Sequence, residues 1–424
     1  MGSTEADTPE HRRGDSRAGA GGPRYPGWLV LPAVAWYVVF FLVPLGFIAA
    51  TSFGQVEGFS DVAYTWTLDN YRYLWDDIVG DLHLYRDIFL ETLKLSIVGT
   101  LSTLVIGFPL AYYIARYAKH KTLLLLLVIV PFWTSFLIRA YAWLIVLDPE
   151  FPLFRALGLT GFLERHEILF TPNAVYIGVA YNGGRDVLYW QGFSTKCFEI
   201  ALETPEIRSA LKFSILIALG NAVVACVLGT MLALALPRMR SWVRTPIDAL
   251  AYMTLVTPEI VFAIAELVFF VQAGSRLGLE SPLGWHTILI AHVVFNASVV
   301  ALVVRARWVS MGQHLEEASF DLGAGPVSTF RQVTLPRLAP AILAGGLLAF
   351  TFSFDDFITS FFVAGTNSET LPIYIWGQLR FGVTPAINAT AAMMLAFTLV
   401  VVVVAYLVLR RSGQERETGG LPGV

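Results

Sequence analysis

About eight apolar runs of bilayer-crossing length dominate this chain, at roughly 28–50, 92–115, 122–147, 210–236, 246–273, 284–304, 341–363 and 389–409. A hydrocarbon core about 30 Å thick takes roughly twenty residues of helix, and inside it the backbone must satisfy its own hydrogen bonds. The runs therefore predict an all-α polytopic membrane protein. Composition agrees at the one point where it discriminates: 14% of the 424 residues are charged, against about a quarter in a soluble domain. A net charge of −3 gives no reason to expect nucleic acid as a partner, and the placement of the basic residues says more than their sum.

Basic turns follow alternate runs: Arg116, Lys119, His120 and Lys121; then Arg238, Arg240 and Arg244; then Arg305 and Arg307; and finally Arg410, Arg411 and Arg416. Positive residues mark the cytoplasmic side, so both termini are expected inside. The 51–91 loop carries Glu57, Asp61, Asp69, Asp76, Asp77, Asp81, Asp87 and Glu91 against only Arg72 and Arg86, and is expected outside. Residues 1–25 read as a disordered cytoplasmic tail. The first run has no small-x-small cleavage site and reads as a retained helix. Between 148 and 207 only 174–181 is apolar, too short to cross, so no span is expected there.

One long polar segment interrupts the second half, EEASFDLGAGPVSTFRQVTLPRLAP at 316–340. Glu316 and Glu317 open it, a glycine turn spans Gly323 to Pro326, and a second short helix is expected from Val327 until Pro336 stops it. Such a hairpin can pass force between a membrane domain and a soluble partner. Glu317-Ala318-Ser319, Gly323, Val333 and Leu335-Pro336 resemble the EAA loop of the membrane subunits of ABC importers, with pattern EAA-x3-G-x9-I-x-LP. Ser319 replaces the second alanine and Val333 the isoleucine. The resemblance implies a type I ABC-importer permease fold. It also implies that Glu316, Glu317, Ala318, Gly323, Leu335 and Pro336 form the surface that couples to an ATPase.

Two further resemblances divide the chain. LDNYRYLW at 68–75 and PFWTSFLIRAYAW at 131–143 are similar to the first permease subunit of spermidine/putrescine importers. VLYWQGFSTKCFEIALETPEIRSALKFSILIA at 187–218 and SFDDF at 353–357 are similar to the second subunit. The implied organisation is a partial first-permease-like half at 26–182 with three helices, a junction at 183–209 and a second-permease-like half at 210–411. That second half carries five helices and the EAA loop, and 412–424 form a cytoplasmic tail. The chain then reads as a fusion with an internal loss.

Ionisable residues inside apolar runs are the candidates for a pathway, because a charge at mid-bilayer costs roughly 2.5–3.5 kcal/mol on insertion scales. Asp355 and Asp356, flanked by Phe352, Phe354 and Phe357, offer carboxylates and aromatic faces to an organic cation. A competing reading makes the two acids caps of a broken helix or partners of a nearby base. Glu259 follows Pro258 and fits the family; the resemblance does not place Glu266, in the same run. His292 and Asn296 lie one turn apart and read first as packing contacts between helices. Arg139 is expected to snorkel outward, and Cys197 and Cys226 read as incidental.

The resemblance implies a permease of an importer for polyamines or a related small organic cation, in a bacterial inner membrane. The expected partners are an ABC ATPase dimer, an extracytoplasmic binding protein, and either a second permease subunit or another copy. No Gly-x4-Gly-Lys-Ser/Thr stretch occurs, so ATP is expected on the partner and no cofactor or metal in this chain. No HExxH motif points to an enzyme. An ion-coupled secondary transporter using Asp355, Asp356, Glu259 and His292 as a proton relay is the alternative from another class, and a non-functional fused remnant is the third.

Overall fold

A computed structural model describes residues 27–57, 61–63, 65–80, 84–119, 121, 124, 196–311, 314–379 and most of 389–403. The third expected run at 122–147, the 148–195 stretch with Arg139, and both tails lie outside the described residues. Nearly every described element is helical: α1 (Trp28–Thr51), α2 (Asp69–Val79), α3 (Leu84–Arg116), α4 (Lys196–Glu203) and α5 (Pro205–Ala235). α6 (Ser241–Val256), α7 (Glu259–Arg276), α8 (Trp285–Ser310), α9 (His314–Asp321), α10 (Pro326–Asp355), α11 (Ile358–Val363) and α12 (Leu371–Leu379) follow. A two-stranded antiparallel ribbon, Gln55–Glu57 with Asp61–Ala63, precedes α2.

α8 is the central post, with 67% of its most apolar window buried, whereas the corresponding share of α3 is 6%. It packs chiefly on α5 and α10. Glycine lets these helices close up: a Cβ on Gly229 of α5 would lie 2.7 Å from the Ala297 carbonyl and 2.7 Å from the Val300 Cβ of α8. Small residues at such crossings are how membrane helices gain van der Waals contact where lipid offers no hydrophobic drive.

The first span, α1, seats in the second half of the chain. Phe41, fully buried, meets Phe262 of α7 with ring centroids 5.7 Å apart, and Phe40 and Phe47 flank Phe269 at 6.3 and 6.0 Å. Tyr37 closes a polar chain through Ser298 of α8 to Thr254 of α6, both links 2.7 Å. A buried hydroxyl chain of this kind satisfies groups that hydrocarbon would leave bare.

Three expectations are corrected. Pro336 does not stop the second helix of the hairpin: α10 is one 30-residue helix from Pro326 to Asp355. A widened turn at Phe330–Thr334, in which Leu335 N–H bonds back to the Phe330 carbonyl, absorbs the proline two residues later. The same device recurs in α1, where the wide turn Val38–Leu42 precedes Pro44 at the same offset. The 246–273 run is a broken pair, α6 and α7, bent by 105°, because Pro258 holds Thr257 extended. The 341–363 run is also broken, at Asp356, whose ψ of 125° leaves the helix.

Candidate functional site

The two breaks face each other across a cavity of about 510 Å³ walled by α6, α7, α8, α10 and the start of α11. Glu259, His292, Asp355 and Asp356 all line it, so the sequence's ionisable candidates converge from three helices onto one space. Phe262, Phe295, Phe352 and Phe357 supply its aromatic walls. Carboxylates beside aromatic faces suit a desolvated organic cation, held by charge and by the ring quadrupoles.

Asp356 is the hub. Its Oδ2 accepts the Ser360 N–H at 2.7 Å in the first turn of α11 and lies 2.9 Å from His292 Nε2. Glu259 and Thr359 line the same cavity beside it. His292 is fixed on both ring nitrogens, Nδ1 at 2.7 Å from Ser353 Oγ and Nε2 also 3.0 Å from Ser360 Oγ. Both readings of the acid pair therefore apply to Asp356, which holds a broken helix and faces the cavity. His292 joins α8 to α10 and lines the site at once. Asn296 is buried, as a packing contact would be, but its described hydrogen bond stays within its own helix: its amide donates to the His292 carbonyl at 2.9 Å, and its Oδ1, at the cavity wall, has no hydrogen-bond partner among the described residues.

Phe354 is corrected. It is 1% exposed and packs on Phe350 and Phe397, with centroids 5.8 and 5.3 Å away, on the side of α10 that faces α5 and the 389–403 stretch. Phe352 and Phe357, and not Phe354, line the cavity. Phe295, 5.9 Å from Phe352, has no motif of its own and was not singled out in the sequence; its place three residues after His292 on one helix face was the available signal.

The hairpin is the second half of the apparatus. α9 ends at Gly323, whose φ of +84° is the left-handed closure that glycine adopts without strain, and Gly323 N–H bonds to the Phe320 carbonyl at 2.8 Å. Ser319, the departure from alanine, bonds Thr329 across the turn at 3.0 Å. Glu316 is 2% exposed and accepts a hydrogen bond from Thr334. It therefore braces the hairpin from within and is not part of its outer surface. Glu317 is half-exposed, Ala318 and Pro336 are exposed, and Leu322 and Val327 stand out at the tip with 88% and 80% exposure. At the same end, Arg305 and Arg244 both grip Asp248, Arg244 Nε at 3.1 Å, tying α8 to α6.

A bundle of bilayer-length apolar helices with a cavity of acids and aromatic rings at paired helix breaks, joined by one helix to a polar hairpin, has the architecture of a transport permease. The chain belongs to the family of binding-protein-dependent transport system inner membrane components, whose model matches residues 211–414. It is 34% identical over 251 residues to the putrescine transport system permease protein PotI of Escherichia coli strain K12, covering 58% of this chain and 89% of that protein. It is 33% identical over 251 residues to the spermidine/putrescine transport system permease protein PotC of the same strain, covering 59% and 93%. Among solved structures, a bacterial ABC transporter involved in the import of alginate superposes with a TM-score of 0.44 at 16% identity, over 61% of this chain and 95% of that one. The chain is thus a multi-pass inner-membrane permease.

Proposed function

We propose that this chain is the membrane subunit of an ATP-driven importer for polyamines or a related small organic cation. The carrying observation is the convergence of Glu259, His292, Asp355 and Asp356, with four phenylalanines, on one cavity. The names of PotI and PotC support the same substrate class.

α10 supplies the mechanics. It runs unbroken from the hairpin at Pro326 to Asp355 at the cavity, about 45 Å of helix at 1.5 Å per residue. Leu322, Val327 and Glu317 present the hairpin to an ATPase, and the Glu316–Thr334 bond clamps its first helix onto the base of α10. A displacement of the hairpin on ATP binding would then move the Asp355–Asp356 break directly. ATP sits on the partner, since this chain has no phosphate-binding loop sequence. Arg240 and Arg244 open α6, Arg305 and Arg307 close α8 and Arg331 lies in the first turns of α10, which supports a cytoplasmic hairpin and cytoplasmic termini. An extracytoplasmic binding protein delivers substrate to the opposite face, and a second permease, either another copy or a separate subunit, completes the pathway. Family membership favours this reading over an ion-coupled relay.

The test is uptake of labelled spermidine and putrescine by cells stripped of their own polyamine importers, expressing this chain with its neighbouring ATPase and binding protein. We expect uptake that excess unlabelled polyamine competes away and neutral sugars or amino acids do not. Uptake insensitive to polyamines, or driven without the ATPase, would overturn the proposal.

A further inference from the structure

Glu266 has no role in the cavity or the hairpin, yet its position is costly. It is fully buried on α7, and neither carboxyl oxygen has a hydrogen-bond partner among the described residues. A carboxyl kept in a membrane helix without partners is retained at a cost, and such groups mark substrate routes. It repeats on the same face as Glu259, Phe262 and Phe270, at the three- and four-residue spacing of a helix. Seven residues separate Glu259 from Glu266, about 10 Å along the axis. Phe262 stands between them, 7% exposed, lining the cavity and packed by its ring on Phe41. Glu266 does not itself line the cavity; it follows Glu259 and Phe262, which do, by about two turns and one turn along α7.

An acid, an aromatic ring and a second acid in line form a template for a molecule with charge, methylenes and charge in line. We propose that Glu259 and Glu266 are the two ends of a binding ladder for a linear triamine, with Phe262 lying along the methylene chain and swinging aside to admit the far ammonium to Glu266. Glu259, with Asp355 and Asp356, receives the near ammonium. The orphaned Asn296 Oδ1, 2% exposed, gives the cavity a neutral acceptor for an ammonium passing along α8. The spacing of the acids suits the reach of a triamine and exceeds that of a four-carbon diamine, so Glu266 sets selectivity by length. This assignment rests on the polyamine reading.

Spermidine and putrescine uptake by the full chain with its ATPase and binding protein tests it, at matched membrane levels of the unaltered protein, Asp356→Asn, Glu266→Gln and Glu266→Asp. Glu266→Gln is isosteric and replaces the carboxyl, including one acceptor oxygen, with an uncharged amide. We expect it to raise the KM for spermidine about tenfold while leaving that for putrescine within about twofold, as one charge-assisted hydrogen bond is lost. Glu266→Asp should recover most of the difference, whereas Asp356→Asn should impair both amines. Equal effects of Glu266→Gln on the two amines, or none, in a chain whose uptake Asp356→Asn abolishes, would remove this assignment alone. A correctly inserted chain that takes up neither amine would remove the polyamine reading and the ladder together.

Discussion

Glu316 and Glu317 are neighbours in sequence with opposite surroundings, since a helix turns about 100° per residue and only one of the two can face out. Glu316→Ala strips the acceptor from a buried Thr334 hydroxyl and should cost about 1–3 kcal/mol, read as lower thermal stability in detergent and less protein in the membrane. Glu317→Ala leaves the brace intact, so protein level should hold while co-purification of the ATPase falls. Equal loss of protein in both variants would contradict this division. The sequence alone made the motif and its offsets legible, but not which acid faces inward, because that depends on helical phase against α10. Phe354 teaches the same lesson: its distance from the acids in sequence was right, and its side of the helix was not.

The elements show why the spans were found more readily than their shapes. Apolar length is a one-dimensional property and survives in the sequence; the 105° bend between α6 and α7 depends on what the freed backbone at Thr257 and Pro258 meets. Pro258 was a visible signal for that break, and Asp355–Asp356 for the other, since both disfavour a continuing helix. Pro336 gave the same signal and did not break its helix, because a widened turn took up the misfit first. Gly229 lies closer against α8 than Gly220, the other α5 glycine. Gly229→Val would push a branched side chain into the Ala297 carbonyl and Val300, at a cost of about 1–3 kcal/mol. Thermal unfolding in detergent should show a lower Tm, whereas Gly377→Ala, at a position with open space around it, should leave the Tm nearly unchanged.

At the scale of the molecule, α1 comes from the half that resembles the first permease subunit, yet it buries Tyr37 and Phe41 against α7 and α8 of the other half. This seating was not readable from sequence, as it is set by side chains more than two hundred residues apart. Together the broken α6–α7 pair, α8, α10 and the start of α11 enclose the cavity, and α10 leads from it to the hairpin. The account stands on that cavity being the route of a polyamine and α10 being what moves it. In vesicles containing the chain, its ATPase and its binding protein, ATP hydrolysis and accumulation of labelled spermidine can be followed together. The account predicts that Asp356→Asn leaves hydrolysis running while accumulation falls at least about tenfold, the loss of a charged hydrogen-bonding partner in the route; accumulation equal to that of the unaltered chain would contradict it.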